Sequence, residues 1–125
     1  MAKKVIICFI MLNSAAVFGQ LAEFGFSDRV HKFDTTTEGE VLSHRYPFIN
    51  SGDAPLVIAK HKVACECTQV TYPNQPILPG DTASIYMTFD SKGKIGWQYR
   101  TIELFANTKK SPTEIEFRVK VVNQR

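Results

Sequence analysis

Beyond residue 30, apolar and polar residues alternate along most of the chain with a period of two. The clearest run is the last: Ile115, Phe117, Val119 and Val121 fall on one side, and Glu114, Glu116, Arg118 and Lys120 on the other. Successive side chains of an extended strand point to opposite faces, so each such run predicts a strand with one buried stripe. Ile85, Met87 and Phe89 alternate in the same way with Ser84, Tyr86 and Thr88, and Ile102, Leu104 and Ala106 with Thr101 and Glu103. Leu42, Tyr46 and Phe48 repeat the pattern, with His44 on their side. No run has the length or the 3.6-residue spacing of a helix.

Turn-forming residues separate the runs at Asn50-Ser51-Gly52-Asp53, Leu78-Pro79-Gly80-Asp81, Ser91-Lys92-Gly93-Lys94 and Asn107 through Pro112. Pro presets φ for the second residue of a turn and Gly supplies positive φ, so Pro79-Gly80 suits a type II turn. About seven strands are predicted, near 30–35, 41–49, 55–64, 68–72, 82–89, 98–106 and 113–122. Short strands at this spacing without intervening helices predict an all-β fold, an antiparallel immunoglobulin-like β-sandwich.

The N-terminus follows different rules. Lys3 and Lys4 precede an apolar run from Val5 to Leu12, and Ala15-Ala16-Val17-Phe18-Gly19 provides a small-residue end. These are the three parts of a cleavable signal peptide, predicted to occupy 1–19 and to leave Gln20 first. The apolar run is interrupted by Asn13 and Ser14 and falls short of the roughly 20 residues that span a bilayer. Cys8 sits inside the run, where it is not placed for lipid attachment. The expectation is an exported chain, periplasmic or extracellular, with an N-terminal extension at 20–29, the sandwich at 30–122, a tail at 123–125 and no stable membrane span in the mature chain.

Export changes the charge balance. The whole chain carries 15 basic and 12 acidic residues, but Lys3 and Lys4 leave with the signal, so the mature excess is a single positive charge. The basic residues also alternate with acidic ones instead of forming the concentrated patch of a nucleic-acid binder, and no nucleic-acid partner is expected.

Candidate chemistry is sparse. After signal removal, Cys65 and Cys67 are the remaining cysteines, and an even count in an oxidising compartment suggests a disulfide. Residues two apart on an extended strand are separated by roughly 6.6 Å, whereas disulfide-bonded Cβ atoms lie about 3.8 Å apart. A bond therefore requires a turn or bulge. The alternatives are two reduced thiols packed as small hydrophobes, a soft-metal site that adds His61, or a redox pair. A structural zinc site usually has four protein ligands, and at most three are visible. Lys60 and Lys62 would share a face with Leu56 and Ile58 in a regular strand, so the register is expected to break nearby.

His31, His44 and His61 belong to no G-x-S-x-G elbow, H-E-x-x-H helix or P-loop. No catalytic residue or cofactor is expected, and the chain reads as a non-enzymatic module with a protein or cell-envelope partner. His44 is expected as a core or boundary histidine. Trp97, Tyr99 and Tyr72 are candidate ligand-contacting aromatics, although packing across the loop after Gly96 is the simpler expectation for Trp97.

Several segments in order resemble the bacterial domain-of-unknown-function 1573 family: His31-Lys32-Phe33-Asp34, Glu38-Gly39-Glu40-Val41, Phe48 through Ile58, Cys65-Glu66-Cys67-Thr68, Pro76, Pro79-Gly80-Asp81, Phe89-Asp90 and Gly96. The resemblance spans about residues 30 to 107. It implies an immunoglobulin-like sandwich similar in architecture to pilus-chaperone and sperm-protein domains, in an exported setting, and it carries no activity. Two positions depart from the family pattern. Glu66 stands where Gly usually separates the cysteines, which calls the bend there into question, and His61 replaces an apolar residue.

Overall fold

A computed structural model describes residues 21–124, so the predicted signal peptide lies outside the described residues. Nine strands follow in order: β1 (Phe24–Phe26), β2 (Val30–Lys32), β3 (Thr36–Thr37), β4 (Val41–Asn50), β5 (Ile58–Val63), β6 (Thr68–Thr71), β7 (Thr82–Asp90), β8 (Gly96–Ala106) and β9 (Thr113–Val122). Seven of them answer to the predicted runs. The additional strands are β3 and β1, and β1 turns part of the expected N-terminal extension at 20–29 into sandwich. Its Phe24-Gly25-Phe26 does alternate, with Phe24 buried, but three residues make too short a period to stand out.

The first sheet has the order β1-β4-β7-β6 and is antiparallel; the second runs β2-β9-β8-β5, with β3 also paired to β9. This is the two-sheet strand order of an immunoglobulin-like sandwich, with the first strand divided between the sheets. β1 pairs antiparallel with β4, whereas β2 and β3 pair parallel with β9. Pro47 lies within β4, a strand with a neighbour on either side. Its missing N–H falls on the β1 side, just past the point where Phe26 pairs with Phe48 and β1 ends, so no ladder bond is lost.

The inner faces meet in a core led by Tyr46 and Phe48 of β4, Ile85, Met87 and Phe89 of β7, Ile102 and Leu104 of β8, and Ile115, Phe117, Val119 and Val121 of β9. These are the alternating stripes read from the sequence, each large side chain contributing about 1.5–3 kcal/mol by leaving water. Tyr46 ties the sheets together: it is buried, and its hydroxyl donates to the carbonyl of Glu116 at 2.7 Å. Tyr46→Phe should keep the packing and lose this bond, lowering unfolding free energy by about 1 kcal/mol in urea titration.

The expected register break is a bulge at Ala59. Ile58 pairs with Ala106, but Lys60 pairs with Phe105, so one extra residue enters β5. The parity reverses there, leaving Lys60 and Lys62 exposed and His61 and Val63 half-buried.

Candidate functional site

The Asn50-Ser51-Gly52-Asp53-Ala54-Pro55-Leu56 segment closes one end of the sandwich. Asn50, the last residue of β4, is 1% exposed. Its Oδ1 accepts from the N–H groups of Gly52 at 2.9 Å and Glu23 at 3.3 Å. Its Nδ2 donates to the carbonyls of Ala54 and Ile77, each at 2.8 Å. Both lone pairs and both donors are used, so one side chain pins its own turn, the approach to β1 and the segment before β7. Gly52 sits against the backbone of Leu21 and Ala22, and a Cβ there would collide with the carbonyl oxygen of Leu21. Asp53 N–H donates to that same oxygen at 2.7 Å.

Cys65 and Cys67 occupy the crossover from β5 in one sheet to β6 in the other. Thr68 N–H donates to the carbonyl of Cys65 at 3.1 Å, which folds the four residues into a turn. The cysteine Cα atoms are 5.1 Å apart, and the Sγ atoms stand at bonding distance. Cys67 N–H also points to the Sγ of Cys65 at 3.1 Å. No described non-glycine residue has positive φ, so Glu66 makes the bend in ordinary backbone geometry without the glycine usual in the resembled family. His61 Nδ1 lies 3.0 Å from the hydroxyl of Tyr72, with the rings edge to face. Burial holds the Tyr72 phenol above its usual range. Among the described residues, no three His, Cys, Asp or Glu side chains come together in a group that could hold a metal ion.

His44 packs at the boundary between the sheets. Its ring stacks on that of His31, centroids 3.6 Å apart and planes 9° from parallel, and meets Tyr46 edge to face. Burial holds the His44 pKa below its ordinary value of 6.5; the neighbouring His31 pushes it the same way, while Asp28 opposes them. The unfolded chain therefore takes up this proton more readily than the folded one. The contribution to stability is complete above about pH 6.5 and is lost as pH falls through the depressed folded value. Chemical denaturation between pH 7 and 5.5 should show falling stability, and His44→Phe, which keeps an aromatic ring in the stack, should flatten the slope.

The remaining candidates lie on β8. Trp97 and Tyr99 are 46% and 60% exposed on the outer face of their sheet. Their rings are 6.0 Å apart and 21° from parallel. Lys32 lies over the Trp97 ring and Arg118 over that of Tyr99. Trp97 is thus displayed beside cations on the sheet surface. Along the edge of the same strand runs an open cleft of about 630 Å³, lined in part by Lys62, Cys65, Lys94 and Arg100.

A family model described as "Protein of unknown function (DUF1573)" matches residues 24–121, nearly the whole described chain. The chain belongs to the DUF1573 family. The match begins at β1, so the family unit includes the strand that alternation alone does not reveal. No curated protein matches the sequence. Among solved structures, a protein of unknown function from Porphyromonas gingivalis W83 is similar with a TM-score of 0.69 at 14% identity over 86% of this chain and 51% of the other. The PapD-like domain 7 of human CEP192 is similar with a TM-score of 0.62 at 12% identity, covering 86% of this chain and 89% of that one. Vibrio cholerae VesB protease is similar with a TM-score of 0.60 at 12% identity, covering 82% of this chain and 32% of the protease. The chain therefore spans about half of the first protein and a third of the protease, and at these identities the likeness is one of fold.

For this DUF1573 chain, the structure brings Cys65 to Cys67, and His61 to Tyr72 as a separate pair. Trp97 and Tyr99 come together; Tyr72 belongs to the other group. Asn50 and Gly52 were visible as a turn, but their role was not. Asn50's partners Glu23 and Ile77 each lie 27 residues away, and no local pattern announces them.

Proposed function

We propose that this DUF1573 chain is an exported, non-enzymatic interaction module of the cell envelope, presenting a sheet surface to a protein partner. The observation that carries this reading is the exposed Trp97–Tyr99 pair flanked by Lys32 and Arg118. Trp, Tyr and Arg supply the anchoring contacts of many interfaces, because each offers large contact area together with a polar or charged tip. The side-chain amide of Asn50, the hydroxyl of Tyr46 and Nδ1 of His61 are engaged in bonds within the sandwich.

Two measurements test the reading. The mass of the protein purified from the cell envelope should begin at Gln20. A photo-crosslinking residue at position 99 should give a defined adduct in intact cells, whereas the same residue at exposed Gln69, on the other sheet, should not. A full-length mass, or no adduct from a scan of the whole surface, would reject the module reading.

A second reading, of Cys65 and Cys67 as a thiol-based redox or metal-binding pair, draws on the proximity of their sulfurs and on the place of Cys65 at an open cleft. Intact mass with and without reductant, together with metal analysis of anaerobically purified protein, decides it: no two-proton mass change and no bound metal would remove it.

A further inference from the structure

The second sheet has an open stretch of edge. β8 runs from Gly96 to Ala106 and pairs with β9 from Gly96 through Leu104. On the other side β5 pairs only as far as Val63 with Ile102, then turns away at Ala64 toward the other sheet. The direction of the backbone groups follows from the register. Glu116 N–H donates to Arg29, and the carbonyl of Arg118 accepts from Phe33, so even-numbered residues of β9 face β2 and odd-numbered ones face β8. Phe117 lies opposite Arg100, which makes even-numbered residues of β8 the partners of β9. Trp97 and Tyr99 therefore turn their N–H and C=O groups outward to the edge that β5 leaves uncovered. The N–H of Asn107 agrees with this parity, donating to Val57 on the β5 side.

Side chains partly occupy this edge. Arg100 Nη1 donates to the carbonyl of Tyr99 at 3.2 Å, and Nη2 donates to Oε1 of Gln98 at 2.6 Å. The Nε of Arg100 is buried and has no hydrogen-bond partner. Among the described residues the ion pair found is Arg118 with Glu116, so Arg100 has no carboxylate. Lys94 lines the same end of the cleft; Glu103 and Glu114 lie at the end that β5 covers. The open end is cationic, and its half-buried guanidinium lacks a counter-charge.

We propose that residues Trp97–Thr101 of β8 accept an extended segment of a partner protein as an added strand, with an acidic side chain of that segment meeting Arg100. This rests on the interaction-module reading and names the site and chemistry for it. The incoming backbone continues the line that β5 abandons at Ala64 and pairs with the outward groups of Trp97 and Tyr99, taking the Tyr99 carbonyl over from Arg100 Nη1. Its outward side chains pack beside the Trp97 and Tyr99 rings, and the inward acidic group meets Arg100 in a charge-assisted bond. A second copy of this chain fits less well, since antiparallel pairing of two such edges about Tyr99 sets each Arg100 opposite Gln98 of the other copy and diagonal to its Arg100, with no acidic group to meet it.

The test uses the mature chain and a displayed library of seven-residue segments randomised at alternate positions. The expected result is enrichment of segments with Asp or Glu at one inward position. Bound as a synthetic peptide, an enriched segment should slow amide hydrogen exchange at Trp97 and Tyr99 at least tenfold, and it should shift the emission of Trp97, the single tryptophan. Arg100→Leu should abolish the acidic preference, and alternate backbone N-methylation of the peptide should abolish binding. No enrichment, enrichment without acidic bias, or protection elsewhere would overturn the strand-addition proposal. So would concentration-dependent protection without peptide, which would indicate self-pairing. If strand addition fails while crosslinks appear from another face, the module reading stands and this site alone is lost.

Discussion

Gly52→Ala should destabilise the fold by about 3 kcal/mol or more, with the urea midpoint falling accordingly. The added methyl would be directed at the carbonyl oxygen of Leu21 and the backbone of Ala22. Neither is the movable tip of a side chain, so relief requires the chain before β1 to withdraw. Withdrawal would also cost the bond from Asp53 N–H to Leu21 and expose Ala22, which is 1% exposed. Gly25→Ala is the informative comparison, because a Cβ there would meet the Ile49 Cγ2 methyl at 2.9 Å and the Ile49 carbonyl oxygen at 3.2 Å, a much milder approach than the backbone collision at Gly52. A Gly52→Ala protein as stable as the parent would show that the segment before β1 does not hold the turn in place.

Asn50→Ala is the second large effect, about 4 kcal/mol. The substitution removes both halves of a fully used amide and strands the N–H groups of Gly52 and Glu23 and the carbonyl of Ala54, each left unsatisfied at about 1–3 kcal/mol. The carbonyl of Ile77 is spared, because it also accepts from Leu56 N–H at 2.8 Å. Asn50→Asp separates the two halves: Oδ1 is kept, but a carboxylate oxygen replaces the donor facing two carbonyls, so it should also be destabilising near neutral pH. An unchanged urea midpoint for both variants would contradict the assigned network. Either predicted loss is a large fraction of the 5–15 kcal/mol typical of a domain.

Features written locally were legible in the sequence. β9 is bounded by the predicted residues 113–122 because alternation persists across the whole run, and it lies in its sheet with charged Glu114, Arg118 and Lys120 exposed. What depended on distant partners was not legible. β1 is a strand because β4 lies beside it, and the bulge at Ala59 reverses a parity that the sequence only showed to be inconsistent. The cysteine turn illustrates the same limit. The spacing required a bend between Cys65 and Cys67 and the sequence supplied no glycine, but an ordinary turn closed by Thr68 N–H suffices. Trp97 was expected to pack across a loop; instead the outward face of β8 carries it beside Lys32 of β2, a neighbour set by sheet order rather than by sequence distance.

The central place of β9 bears on when the chain can fold. β8 lies on one side of it and β2 and β3 on the other, so the second sheet cannot assemble until Thr113–Val122 has emerged from the ribosome. Pairing residues 30–37 with 116–122 requires closing a long loop before any contact repays it, which slows folding. Until Thr113–Val122 has emerged, β8 can pair only with β5, and β2 and β3 have no partner in their sheet. On the export reading proposed above, a sheet that waits for its central strand would keep β2 and β3 unpaired while the chain passes a translocon in extended form.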